Sequence, residues 1–349
     1  MPLSTINKPL PLAVSLGEPS GIGPEVILKS WAARSAQGLP DFFAIGNAEI
    51  LRKTARKLSV DIPVHNIESA SETNAVFERA LPVLDIQGNA DFEFGKPSTD
   101  TASLVLNSIE KAVDLIHKGE AAGLVTAPIQ KSVLYSAGFT CPGHTEYLAE
   151  LCTREGSPPE IPVMMLVSSE LRVIPLTIHM ALCDVATSIT AELITETCLK
   201  IHRSLVQDFG IETPRIAVAG LNPHAGEEGT MGQEEQLIIA PALDHLRDQG
   251  MIIYGPLSAD TMFHKTARTT YDAALCMYHD QALIPIKTLD FDGGVNVTVG
   301  LPIVRTSPDH GTALNIAGKN LASPNSMINA LKLAQQIYKN RQEWTKKNV

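Results

Sequence analysis

The run Leu12-Ala13-Val14-Ser15-Leu16-Gly17-Glu18-Pro19-Ser20-Gly21-Ile22-Gly23-Pro24-Glu25 reads as a buried strand, a glycine turn and the start of a helix. Residues 12–16 are the strand. Pro24 suits a first helical position, where its missing N–H would be unpaired in any case. The glycines match neither G-x-G-x-x-G nor the P-loop, in which Lys-Ser/Thr follows the last glycine. As a pattern the segment is a flexible turn into a helix N-terminus. The same alternation continues outward. Leu106, Ile109, Val113 and Ile116 repeat at helical spacing, with Gly119 where a C-cap belongs. Residues 123–126 are the next strand, ending at Ala127-Pro128. Residues 163–167 and 171–178 read as two strands joined by a tight turn at Ser168-Ser169-Glu170. Such a hairpin marks an accessory sheet or a dimer contact. Ile194, Cys198, Ile201 and Leu205 form a helix face, residues 216–219 and 273–277 two further strands, and residues 326–338 a closing amphipathic helix. Alternating strands and helices imply an α/β architecture with a largely parallel sheet.

Bulk properties bound the function. A length of 349 residues allows two domains or one large α/β unit. Hydrophobic residues at 44% and charged residues at 19% suffice for a sizeable core. Aromatics at 5% argue against an aromatic-lined nucleic-acid or sugar platform. A net charge of −10 argues further against nucleic acid, which needs a basic face. An anionic small molecule remains open if cations cluster locally. The five cysteines stand singly without a CxxC, which suits a reducing cytosol and reads as small buried hydrophobes. No apolar run approaches the roughly 20 residues that span a bilayer, and no signal-peptide pattern opens the chain. The expected compartment is the cytoplasm, without a membrane partner.

Three histidines follow strand ends: His179, His224 and His279. Open α/β sheets bind ligands beyond the carboxyl ends of their strands, where three imidazoles could share a divalent metal. Spacing alone favours three unrelated loop histidines, because no HxxxH or HxH pair is present. Lys287 and Arg305 are cations in apolar strand-like segments, costly unless paired or bound to an anion. An internal salt bridge to Asp290 or Asp292 is the competing reading. Arg suits bidentate phosphate or carboxylate, and Lys acts as a point charge. Gly143-His144-Thr145-Glu146 precedes a helix, with Thr145 at the cap and free N–H groups that favour anions. A plain cap beside a surface histidine fits equally well. Asp260 and Asp280 could support a histidine or a reacting proton, although loop carboxylates more often serve turns.

Six blocks occur in order: 17–25, Thr126-Ala127-Pro128-Ile129, 143–146, Gly220-Leu221-Asn222-Pro223-His224-Ala225-Gly226-Glu227, Met277-Tyr278-His279-Asp280-Gln281, and Arg305-Thr306-Ser307-Pro308-Asp309-His310-Gly311-Thr312-Ala313. Together they resemble the 4-hydroxythreonine-4-phosphate dehydrogenase family of vitamin B6 biosynthesis, over about residues 11–340. The resemblance implies a two-domain α/β/α subunit of isocitrate/isopropylmalate dehydrogenase-like type, with the active site in the interdomain cleft. Residues 1–130 with 285–349 would form a discontinuous domain carrying the nucleotide-binding loop. Residues 131–284 would form the second domain, with the metal ligands and the dimer contact. The family is a homodimer whose metal sites draw ligands from both subunits. It implies His179, His224 and His279 as ligands of one divalent ion (zinc, magnesium, cobalt or manganese), reversing the reading from spacing. It implies His144, Thr145, Lys287, Asn296 and Arg305 as substrate-binding residues, and Lys287 and Asp260 as catalytic. His310, Gly311 and Asn315 would lie in the nucleotide loop. Asn315 stands where isopropylmalate dehydrogenase relatives often carry Asp or Glu for the ribose hydroxyls, which leaves NAD and NADP both open.

The implied reaction is oxidation of 4-phosphooxy-L-threonine to 2-amino-3-oxo-4-phosphooxybutanoate, which decarboxylates to 3-amino-2-oxopropyl phosphate. The metal would act as a Lewis acid on the C3 oxygen, and a desolvated Lys287 would move the proton. A paralogue acting on 4-phospho-threonate or -erythronate, or on a dihydrodiol dicarboxylate, is the nearest rival. Need for the substrate's amino group separates the two. A phosphate acyltransferase would show no signal at 340 nm, and a mere metal-stabilised binding protein would bind metal without NAD.

Overall fold

A computed structural model describes residues 9–89, 91–141, 143–153 and 161–348. The chain divides into two compact units, Met1–Ile161 with Leu301–Tyr338 and Pro162–Gly300 with Lys339–Val349. Segment 131–161 thus belongs with the first unit, and segments 285–300 and 339–349 with the second.

The first unit holds β1 (Leu12–Ser15), β2 (Phe42–Gly46), β3 (Val64–Ile67), β4 (Leu81–Asp85), β5 (Leu124–Thr126) and β12 (Arg305–Pro308). They lie in the order β3-β4-β2-β1-β5-β12, every pair parallel. β1, β2 and β5 are buried along their whole length, as strands covered on both faces must be. Helix Ala102–His117 packs Ile109 and Val113 into the core with Phe43, Ile45 and Leu124. It ends at Gly119, whose φ of +71° gives the left-handed turn that the spacing predicts.

The second unit holds β6 (Val163–Val167), β7 (Arg172–Pro175), β8 (Arg215–Ala219), β9 (Ile252–Leu257), β10 (Ala273–Cys276) and β11 (Val295–Val299). Their order is β11-β6-β7-β10-β8-β9. The β6–β7 hairpin is present and antiparallel, closed by the Ser168 N–H donating to Leu171 O at 2.9 Å. β11 also pairs antiparallel with β6, and the other pairs are parallel. Parallel β7, β8 and β10 therefore present their carboxyl ends, and the residues after them, on one edge. The closing helix runs Asn325–Asn348, longer than its periodicity indicates. Buried Asp208 holds its last turns, taking Arg341 Nε at 2.6 Å and Asn340 Nδ2 on its carbonyl at 2.6 Å.

The opening glycine turn is tightly built. Helix Gly23–Ala32 starts two residues before Glu25, with Pro24 in its first turn. Gly17 has a φ of +70°, and a Cβ there would lie 2.6 Å from Pro128 O. Gly17→Ala therefore combines left-handed strain with a backbone clash, a loss of roughly 2–4 kcal/mol. Thermal unfolding should report a Tm lower by roughly 3–6 °C.

Candidate active site

Arg305 opens β12 beside the start of β5, in register with Leu124. Its guanidinium is buried and donates to Thr126 Oγ1 at 2.7 Å. It lies 3.5 Å from His144 Nδ1. Burial pushes Arg305 down to about 10, so it stays a cation at neutral pH. His144 is driven well below the ordinary histidine range, first by burial and then by Arg305 and Lys131. The ring is therefore neutral. Because Arg305 can only donate, Nδ1 is the acceptor and Nε2 carries the proton. His144 Nε2 is buried and has no hydrogen-bond partner among the described residues. The cap of helix His144–Cys152 is Gly143, with no side-chain cap. Thr145 thus sits in the first turn and not at the cap. A fixed guanidinium, the Lys131 charge and an uncapped helix start bring together positive charge and N–H donors suited to a phosphate or carboxylate.

Past β12, residues 310–319 form a run of turns without regular structure. Gly311 and Asn315 are exposed, and a Cβ at Gly311 would meet nothing within 4 Å. His310 is partly buried, its Nδ1 3.1 Å from Gly311 O.

In the second unit, His179 and His279 come together. Their ring centroids are 5.9 Å apart. Both line a cavity of about 320 Å³ with Thr177, Ile178, Met180 and Tyr278. His179 stands at a φ of +38° just past β7. His279 begins helix His279–Leu289, and Asp280 Oδ1 lies 2.7 Å from its Nδ1. A carboxylate on Nδ1 fixes the tautomer that frees Nε2 for an ion. His224 is not among the residues that line this cavity. It lies exposed in a left-handed run from His224 to Glu228, its Nδ1 3.9 Å from Glu227 Oε2. Among the described residues no group of three or more His, Cys, Asp or Glu side chains is arranged to hold a metal. Two imidazoles and an orienting carboxylate nevertheless fit a divalent ion in part.

Lys287 lies on a helix, not in a strand, and is half-buried with its Nζ 5.5 Å from the Phe291 ring centre. Asn296, on β11, has a buried Oδ1 with no hydrogen-bond partner among the described residues. Asp260 is exposed at the start of helix Ala259–Met262 and accepts from Ser258 Oγ.

The match to known proteins spans the chain. The family model described as pyridoxal phosphate biosynthetic protein PdxA matches residues 39–334. The chain belongs to the PdxA family. It is 53% identical over 329 residues to a 4-hydroxythreonine-4-phosphate dehydrogenase of Methylorubrum populi, covering 94% of each chain. A crystal structure of a 4-hydroxythreonine-4-phosphate dehydrogenase from Klebsiella pneumoniae superposes with a TM-score of 0.83 at 36% identity, covering 94% of this chain and 98% of that one. A terephthalate 1,2-cis-dihydrodiol dehydrogenase from Burkholderia xenovorans superposes with a TM-score of 0.62 at 25% identity, covering 94% and 98%. No helix among the described residues is long and apolar enough to cross a membrane.

In this PdxA-family chain, sequence reasoning misses several positioning side chains. Thr126 lies inside a quoted block but had no role until Arg305 was placed beside it. Lys131 carries no sequence signal. Gln281 clasps two histidine-bearing segments, accepting from Met277 N–H at 2.6 Å and donating to Gly220 O at 2.9 Å. Thr177 Oγ1 donates to Met277 O at 2.8 Å and ties in the third.

The state of His144 has a consequence for stability. Its folded pKa lies below its unfolded value of about 6.5, so the unfolded chain binds the proton more readily. The contribution is complete above that pH and is lost as pH falls below it. Denaturant midpoints at pH 7.5 and pH 5.5 should fall less between the two pH values for His144→Asn than for the natural chain.

Proposed function

We propose that the chain oxidises 4-phosphooxy-L-threonine with NAD or NADP, in pyridoxal 5'-phosphate biosynthesis. The product, 2-amino-3-oxo-4-phosphooxybutanoate, loses CO2 to give 3-amino-2-oxopropyl phosphate. The observation that carries this is the 53% identity, over 94% of both chains, to a protein named for that dehydrogenase.

The cationic cluster in the first unit suits such a substrate. Arg305 and Lys131 supply positive charge for a phosphate or carboxylate, with the guanidinium offering a planar pair of donors. Neutral His144 offers an Nε2–H to a substrate oxygen, and Thr145 adds a hydroxyl from the helix start. In the second unit, Asn296 has a buried oxygen without a partner among the described residues, which fits an N–H or O–H donor. Lys287 is assigned the proton of the reacting hydroxyl, and Asp260 a supporting carboxylate.

His179 and His279 would hold a divalent cation, with His224 as the third assigned ligand. Zinc, cobalt or manganese suit imidazoles, and oxygen ligands extend the range to magnesium. When bound, such an ion supplies Lewis acidity to an alcohol oxygen. The open face of Gly311, His310 and the exposed Asn315 amide fit a nucleotide, whose nicotinamide supplies the hydride acceptor. We assign the working enzyme as a homodimer with sites shared between subunits. All five cysteines are free, in keeping with a cytoplasmic enzyme.

Product analysis by mass spectrometry tests the reaction. NADH, CO2 and 3-amino-2-oxopropyl phosphate should form in equal amounts. NADH without CO2 would remove the decarboxylation from the scheme.

A further inference from the structure

The glycine segment 17–23 is the motif that no part of this scheme uses. In the first unit it grips two other segments. On one side the Glu18 N–H donates to Pro128 O at 2.8 Å. A Cβ on Gly17 would lie 2.6 Å from that same oxygen. On the other side the Ile22 N–H donates to Thr312 O at 3.0 Å. A Cβ on Gly21 would lie 2.8 Å from that oxygen and 3.1 Å from Thr312 Cβ. Thr312 closes the circuit, because its hydroxyl donates to Gln130 Oε1 at 2.8 Å. Gln130 immediately precedes Lys131, the cation that bears on His144.

The segment is not itself a phosphate cradle. A cradle turns its backbone N–H groups toward open space. Here four of the six donors of segment 17–23 are already taken. Glu18 gives its N–H to Pro128 O and Ile22 gives its own to Thr312 O. Ser20 N–H donates to Glu18 Oε1 at 3.0 Å, and Gly21 N–H to Glu18 O at 3.1 Å. Pro19 has none to give. Glycine at 17 and 21 is needed for close approach to backbone, not to a ligand.

We propose that segment 17–23, together with Thr312 and Gln130, is a bracket that sets run 310–319 against the end of β5, so that Gly21 and Thr312 are positioning residues for nucleotide binding. This rests on reading 310–319 as the nucleotide run. That run has no helix or strand of its own, so its geometry comes from its anchors. A displaced Thr312 shifts Gly311 and Asn315 while leaving Arg305 and Thr126 in their strands.

The test measures NADH dissociation constants by fluorescence, and inorganic phosphate binding by calorimetry, on the full chain. Thr312→Val keeps the volume and removes the hydroxyl. It should weaken NADH roughly fivefold, the equivalent of one hydrogen bond. Thr312→Ser should restore binding to within about twofold, and Gly21→Ala should weaken it by more than about tenfold. Phosphate binding should stay within about twofold in all three, because its charge-assisted partners do not move. If Gly21→Ala fails to fold, the Thr312 pair decides. Unchanged NADH binding, or equal weakening of NADH and phosphate, would overturn the bracket. Asn315→Leu separates the two levels. If it weakens NADH while Thr312→Val does not, the bracket alone fails. If it leaves NADH unchanged, the nucleotide reading and the bracket fail together.

Discussion

Arg305→Met is expected to lower kcat/KM for the phosphorylated substrate roughly a thousandfold while leaving Tm unchanged or slightly raised. The two halves of this expectation have separate causes. A guanidinium that binds an anion contributes about 1.5–3 kcal/mol per charge-assisted hydrogen bond, and a planar pair doubles this. The same group is costly to the fold, because burial alone pulls it down to about 10. An unbranched apolar side chain of similar length removes that desolvation cost, which offsets the interactions the guanidinium gives up. Thr126 Oγ1 loses its 2.7 Å partner, which is a small debit for a hydroxyl that can reorient. Arg305→Lys should fall between, since a point charge cannot reproduce the planar fork. The histidine gives an independent reading. Arg305 is the second cause holding His144 down, so the His144 pKa should rise in Arg305→Met. NMR titration of the ring checks this without any turnover. An unchanged KM together with a lost Tm would make Arg305 a structural cation.

Removing the divalent ion is the second large effect expected. Chelator treatment should abolish turnover, and added zinc, cobalt or manganese should restore it. His279→Ala and His179→Ala should each weaken metal binding at least a hundredfold, since each removes one of the two imidazoles that meet at 5.9 Å. Asp280→Asn is the finer probe. The Asp280 carboxylate 2.7 Å from His279 Nδ1 orients the ring and fixes its tautomer. Its loss should cost roughly tenfold to a hundredfold in metal affinity, with little change in Tm. Calorimetry with cobalt, and its visible absorption, report the site without the reaction. A natural chain that binds no divalent ion would remove the metal from the scheme. So would a His279→Ala variant that binds it as well as the natural chain.

Much of this was legible in the sequence because it rests on local rules. Residues 12–16 are apolar and bounded by glycine, and β1 is there. Ser168-Ser169-Glu170 interrupts two apolar runs, and the hairpin turns there. The histidines could be placed at strand ends because parallel strands deliver their loops to one edge. What failed needed information from far along the chain. Ile284-Pro285-Ile286 reads as extended, since proline disfavours a helix interior, yet Pro285 lies inside helix His279–Leu289. Ala282 and Ile286, a helical turn apart, are both buried there, so tertiary packing decides. Thr145 was read as a cap because threonine is a good one, but Gly143 has the extended backbone that the cap position requires. His224 cannot be foreseen apart from its fellows, because five successive left-handed residues follow no propensity. The purpose of the glycine segment was equally hidden. Gly21 is glycine on account of Thr312, and Gly17 on account of Pro128.

The most direct measurement follows absorbance at 340 nm with metal-replete protein. It compares 4-phosphooxy-L-threonine with 4-phospho-threonate, each with NAD and with NADP. The account predicts chelator-sensitive NAD(P)H formation from the amino acid, and little from the acid that lacks its amino group. Turnover of the threonate in preference would contradict it. The hydride chemistry would then stand, but the enzyme would belong to a different reaction.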